Sequence, residues 1–333
     1  MCTRATYLGP NDTVITARSM DWAVPIPTSI WVLPAGLQRD GAAGPDSLQW
    51  TSRYGSVVAS VYGGATGDGI NEHGLVANLL YLTESDYGQA RPDDPRPPLS
   101  VAGWAQYPLD HFRTVAEAVA TMREEPFRIV STESPDGHAG TVHLALSDPS
   151  GDSAIFEYVA GELRIHHGRE HQVMTNSPIY DQQLALNAYW EQIGGTVMLP
   201  GTSRAADRFA RASFYMQAIP QTDNITEALA SAFGVIRNAS VPLGISTPGQ
   251  PNISSTRWRT VVDHKNRVYF FESALSPYLI WIALDRLDFA PGAPVLQLAL
   301  DDDGALVVAG DYVSGEASSW LQPAAPFTFL PAT

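Results

Sequence analysis

Short apolar, β-branched runs closed by Gly, Pro, Asn or Asp recur along nearly the whole chain. Such runs read as strands, and their number limits the chain to a fold dominated by sheets. They span residues 2–8, 13–18, 30–33, 56–62, 75–82, 141–147 and 153–159. More follow at 163–166, 172–175, 258–263, 267–272, 279–284 and 305–309. Helical patterns are fewer. Residues 99–112 form an apolar stretch that ends near a break. Residues 114–124 open on Thr114 with Glu117 three positions on, the spacing of a capping box. Residues 205–218 set Phe209, Ala212, Ser213 and Met216 on one face. A fourth helix is expected over 224–237, with Glu227 three residues after Asn224.

The order is strands, a helical pair, strands, helices, then strands. It lacks the strict strand–helix alternation of a doubly wound parallel sheet. It fits an α+β layered domain, with antiparallel sheets and helices on their outer faces. The loops rich in Gly, Pro and Asp, at 41–46, 63–69, 91–98 and 220–224, are too short for linkers. The 333 residues are therefore expected to form a single domain, 1–333. A chain of this length buries an adequate core without disulfides or structural metal.

Other classes fall away. The 20 Lys and Arg against 35 Asp and Glu leave a net charge of −15. That argues against nucleic acid and against an acidic membrane surface as partners. No run approaches the ~20 apolar residues of a membrane helix. G-x-G-x-x-G before a helix, G-x-x-x-x-G-K-[ST], G-x-S-x-G and H-E-x-x-H are all absent. The eight histidines are scattered, and the adjacent His166 and His167 would point to opposite faces of a strand. No metal site and no organic cofactor are expected.

Cys2 is the one cysteine, so it has no internal disulfide partner. A small residue after the initiator allows Met1 to be removed. Cys2 would then carry a free α-amine and a thiol together. These titrate near ~7.7–8.0 and ~8.5, so the amine can take the thiol proton. If residues 2–8 and 13–18 form a hairpin, the second strand returns its end to the N-terminus. Arg18 would then stabilise a thiolate, and Asp21 would orient the amine.

The run Met1-Cys2-Thr3-Arg4, followed by Thr16-Ala17-Arg18-Ser19-Met20-Asp21-Trp22, resembles the start of the choloylglycine hydrolase family. Further resemblance follows in family order. Asp68-Gly69-Ile70-Asn71-Glu72-His73-Gly74-Leu75 matches one motif, and Thr175-Asn176-Ser177-Pro178 another. Leu199-Pro200-Gly201, with Asp207-Arg208-Phe209 and Arg211, matches a third. The resemblance implies an N-terminal nucleophile hydrolase with an αββα sandwich, two antiparallel sheets between helical layers. It implies Cys2 as nucleophile, Arg18 and Asp21 as the residues that polarise the thiol and hold the amine, and Asn176 as oxyanion donor. Tyr81 would complete the oxyanion hole through its backbone N–H, and Arg208 would stand in a second layer. His73 and Asp207 depart from the family pattern, which more often has Lys and Ser there.

Met20, Trp22 and Tyr81 flank these positions and would supply apolar walls for an acyl group. The segments 175–189, 191–195 and 255–260 resemble the Gram-negative branch, with its penicillin V acylases. The resemblance therefore implies cleavage of small acyl amides such as penicillin V and N-acyl homoserine lactones, through a thioester. It also implies a homotetramer and export to the periplasm, the cytoplasm being the alternative. Within the enzyme class the alternative is a bile salt hydrolase. Outside it stand a β-rich small-molecule binding protein with an incidental Cys2, and a metal-dependent amidase.

Overall fold

The computed structural model describes residues 1–89, 93–194, 198–245, 254–275, 279–300 and 314–333. Sixteen strands build its two large sheets. The first six are β1 (Cys2–Leu8), β2 (Val14–Trp22), β3 (Thr28–Leu33), β4 (Ser56–Val61), β5 (Ala65–Asn71) and β6 (Val76–Tyr81). Next come β7 (Val142–Ser147), β8 (Ser153–Val159), β9 (Glu162–His167), β10 (Val173–Met174) and β11 (Ser255–Asp263). The last are β12 (Val268–Ser273), β13 (Ile280–Ala283), β14 (Leu296–Ala299), β15 (Gly315–Glu316) and β16 (Gln322–Pro323). Five α-helices accompany them: α1 (Gln106–His111), α2 (Val115–Met122), α3 (Tyr180–Ile193), α4 (Ala205–Ala218) and α5 (Ile225–Asn238).

One sheet has seven strands in the order β10-β1-β2-β11-β12-β13-β15. The other has nine, β9-β8-β7-β6-β5-β4-β3-β14-β16. Every pairing within them is antiparallel except that of β13 with β15. Helices α4 and α5 pack on β1 and β2, while α1 and α2 pack on the nine-stranded sheet. Strands β1 and β6 meet between the sheets. The expected α+β, αββα sandwich is the observed architecture.

Burial follows from these layers. A strand at the centre of the sandwich has a sheet over one face and helices over the other. Hence all of β1 through Tyr7 is buried, and so is β2 through Asp21. Their polar residues cannot reach solvent, and Arg4, Thr6, Thr16, Arg18 and Asp21 find partners inside. The order of the layers thus concentrates paired polar groups at the N-terminus.

Several expected elements differ in detail. Residues 99–112 are not one helix. Strand pairing of Pro98–Ser100 with Arg128–Val130 comes first, then a 3₁₀ turn at Val101–Gly103, and α1 starts only at Gln106. Strand β2 runs four residues beyond the expected Arg18, since β11 pairs with it as far as Trp22. Strand β5 falls where a glycine-rich loop was expected. Glycine is needed there for close approach, because a Cβ on Gly69 would lie 2.6 Å from Val58 Cγ1. Helix α3 had no counterpart in the expected pattern. The strand expected at 305–309 lies outside the described residues.

Candidate active site

Antiparallel register brings Cys2 opposite Met20 and Arg4 opposite Arg18. Alternation then points Cys2, Arg18 and Met20 into the space between the sheets. Cys2 is 2% exposed. Its Sγ lies 3.6 Å from Arg18 Nη2 and 3.7 Å from Met20 Sδ. Arg18 is wholly buried, and Nη2 also donates to the Leu79 carbonyl. Its guanidinium carbon stands 4.5 Å from the centre of the Trp258 ring, a cation–π contact. Asp68 lies 4.0 Å from Nη1. Burial is the largest influence on Asp68 and raises its pKa, against the pull of Arg18 and of hydrogen bonds from Tyr269 and Asn78.

Asp21 follows Met20 and so faces the helical layer. Its Oδ1 accepts from Thr256 Oγ1 at 2.6 Å, and Arg208 Nη1 lies 3.6 Å from Oδ2. Strand β11 shifts register between Thr256 and Trp258, which keeps Thr256 beside Asp21. Arg208 enters from α4 with no exposed side-chain surface. Nη1 donates to the Cys2 carbonyl, and Nη2 donates to Asn176 Oδ1 at 2.8 Å. Burial lowers the Arg208 pKa and the charge on Asp21 opposes this. Asp207, where the pattern has Ser, accepts from the Thr202 N–H and hydroxyl. It closes the turn into α4 and leaves Arg208 directed at the site. His73 packs edge-on against Tyr54.

Asn176 comes next to β10, the strand paired with β1 on its free side. Its Oδ1 accepts from the Cys2 nitrogen at 2.6 Å, and its Nδ2 donates to the Tyr81 carbonyl. Tyr81 lies on β6. The Leu82 N–H goes to Thr141 O, so the even-numbered residues of this strand end address β7. The odd-numbered Leu79 and Tyr81 address the opposite side. Their carbonyls meet Arg18 and Asn176 there. The Tyr81 N–H points the same way as its carbonyl, to the side on which Asn176 lies. One proton of the Asn176 amide is committed to Tyr81, and the second is not.

Two cavities open on this cluster. The inner one, about 110 Å³, has an apolar lining that includes Cys2, Met20, Trp22, Tyr62, Tyr81 and Val142. The outer one is an open vestibule of about 740 Å³, bordered by Met1, Asn176, Ser177, Thr83 and Arg204. Trp22, Tyr81 and His138 border both. Trp22 meets Tyr81 edge to face at 5.5 Å and His138 at 5.1 Å.

Every site residue named from the sequence therefore lies in one cluster: Cys2, Arg18, Asp21, Tyr81, Asn176 and Arg208, with Met20 and Trp22 on the cavity wall. Others carried no independent signal. Asp136 accepts from Trp22 Nε1 at 2.7 Å and from the Tyr62 hydroxyl at 3.0 Å, with His138 at 3.3 Å. It sits in a turn-rich loop whose residues do not suggest a role. Asp68 and Thr256 lay inside matched segments without being singled out.

Comparison with known proteins gives a consistent result. The family model for linear amide C–N hydrolases, choloylglycine hydrolase family, matches residues 2–301. A penicillin V acylase from Pectobacterium atrosepticum is 52% identical over 350 aligned residues, 98% of this chain and 92% of that protein. The solved penicillin V acylase from Agrobacterium tumefaciens superimposes with a TM-score of 0.91 at 56% identity, over 99% of this chain and 100% of that one. The C2A variant of conjugated bile acid hydrolase from Clostridium perfringens gives 0.77 at 19% identity, over 92% and 99%, a likeness of fold.

Proposed function

The chain belongs to the choloylglycine hydrolase family and is an N-terminal nucleophile amidohydrolase acting on linear amides, and from that premise we propose that it cleaves aryl-acyl amides of the penicillin V type. The observation that carries this reading is the inner cavity. It is apolar, opens on Cys2, and measures about 110 Å³. Its apolar wall, with Trp22, Tyr62 and Tyr81, suits a flat aromatic ring on a short tether better than a hydroxylated steroid nucleus, so bile salts are placed last. N-acyl homoserine lactones come second, with turnover falling as the acyl chain outgrows the cavity. The leaving amine would occupy the vestibule, where Arg204 offers a cation to a carboxylate such as that of penicillin V.

The chemistry follows from the contacts. Once Met1 is removed, the Cys2 amine takes the thiol proton, and the thiolate faces Arg18. Sulfur attacks the amide carbonyl. The uncommitted Asn176 proton and the Tyr81 N–H hold the oxyanion. The amine returns its proton to the leaving nitrogen as the C–N bond breaks. It then activates water, which hydrolyses the thioester and regenerates the thiol. Asp21, Thr256 and Arg208 keep the N-terminus in register. We also propose a periplasmic, tetrameric enzyme. The exposed Leu184, Leu186, Tyr189 and Ile193 on α3 supply apolar surface that an assembly would cover.

Comparison of kcat/KM on penicillin V, N-octanoyl and N-dodecanoyl homoserine lactone, and glycocholate tests the substrate order. Penicillin V is expected first, and a preference for glycocholate would overturn the reading. The wall gives a second prediction. Asp136→Ala frees the Trp22 indole and the Tyr62 phenol from one carboxylate. Each lost hydrogen bond to a charged group is worth ~1.5–3 kcal/mol, much of it recovered through water at this rim. The KM for penicillin V is expected to rise about tenfold, near 1.4 kcal/mol, with kcat within about threefold. Steady-state kinetics check it.

A further inference from the structure

Asn176 is fixed through its backbone as well as its side chain. Buried Gln183, on α3, donates from Nε2 to the Asn176 carbonyl at 2.9 Å. The preceding carbonyl, of Thr175, lies 2.8 Å from His143 Nε2. His143 is 1% exposed and lies on β7 opposite Leu80, one residue from Tyr81. Its Nδ1 is 2.8 Å from Glu157 Oε1. Glu157 is also 1% exposed, and its two oxygens accept from the Tyr180 N–H at 3.2 and 3.0 Å, at the start of α3.

A backbone carbonyl only accepts, so Nε2 of His143 must carry a proton. Nδ1 then faces the carboxylate, and the pair is satisfied with one proton held between them. Burial pushes the Glu157 carboxyl up, but its hydrogen bond and attraction to His143 prevail and leave it below the usual range. Nothing in acyl transfer requires a histidine–carboxylate pair at this place. Structural pairing alone does not require it to end on the peptide that carries the oxyanion donor.

We propose that His143, oriented by Glu157, is a positioning residue that sets the Asn176 amide against Tyr81 for the tetrahedral intermediate. This rests on the oxyanion role given to Asn176 above. His143 touches neither substrate nor thiol. It holds Thr175 from β7, the strand beside Tyr81, so both halves of the oxyanion site are referred to one strand pair. Its loss would leave the nucleophile intact and misplace the donor.

The test compares two amide replacements in the mature enzyme. His143→Gln can present an amide N–H near the Nε2 position, and His143→Asn only near Nδ1. His143→Asn is expected to lower kcat about 30- to 100-fold with KM within about twofold, as for a weakened oxyanion donor. His143→Gln is expected to recover at least tenfold of that. The rate of Cys2 alkylation by iodoacetamide should equal the parent's in both. Equal losses in the two variants, or alkylation falling in step with kcat, would overturn the proposal. If His143→Asn does not fold, Glu157→Gln is the reading. It keeps the shape, and a three- to tenfold lower kcat with parental alkylation is expected. A parental kcat there would overturn the proposal. Ratios are taken on whichever amide of the substrate panel the parent hydrolyses. A parent that prefers glycocholate thus fails the substrate reading and leaves the ratio still measurable.

Discussion

Cys2→Ala is expected to reduce amide hydrolysis by about 10⁴-fold or more while leaving the fold intact. Losing the nucleophile of a covalent hydrolase costs rates of this order, because the remaining site only binds and polarises. The sulfur is a small part of the core, touching Arg18 and Met20. Its removal should shift the melting temperature by no more than a few degrees. The sharper experiment keeps the thiol. Met1 makes two backbone hydrogen bonds with Asp21 and borders the vestibule. A retained residue therefore stands where the leaving amine must sit and turns the Cys2 nitrogen into an amide that cannot act as a base. Insertion of alanine between Met1 and Cys2 should abolish turnover as completely as Cys2→Ala. Intact mass should show the active protein without Met1. Full activity in either variant would remove the N-terminal nucleophile mechanism.

The site was more legible in the sequence than some of the scaffold, for physical reasons. Cys2, Arg18 and Asp21 lie on adjacent antiparallel strands, and the register of a hairpin follows from its two runs. Asn176 and Arg208 arrive from distant segments, and only the motifs around them linked them to Cys2. Glycine hid β5, since Gly67 and Gly69 read as turn residues while serving close packing between strands. Helix α3 was hidden by its surface. Only Tyr180 and Gln183 are buried along its fourteen residues, so no apolar stripe marks its period. Asp136 and the His143–Glu157 pair had no local signature. Each acts by joining segments that approach only in the folded chain.

Arg208 is where stability and chemistry coincide, and separating them is the second large effect expected. Its guanidinium, buried in full, contacts the Cys2 carbonyl, Asn176 Oδ1 and Asp21. Arg208→Met keeps much of the volume and removes every one of these bonds. Asp21 then holds a buried carboxylate with Thr256 as its remaining side-chain donor. Breaking a buried pair from one side costs about 3–5 kcal/mol, because the surviving charge stays desolvated. A denaturant midpoint lowered by that free energy divided by an unchanged slope is expected. Asn176 Oδ1 also loses one of its two donors, the Cys2 nitrogen being the other, so kcat should drop about 10²-fold beyond any effect of unfolding. The double variant Asp21→Asn/Arg208→Met removes both charges. It should recover at least half of the lost stability, since neither member is left unpaired. It should recover none of the lost kcat, since the charged Arg208 donor to Asn176 is still missing. Denaturant midpoints and single-turnover rates on the two variants check both parts. Recovery of kcat together with stability would show that Arg208 acts only through the fold.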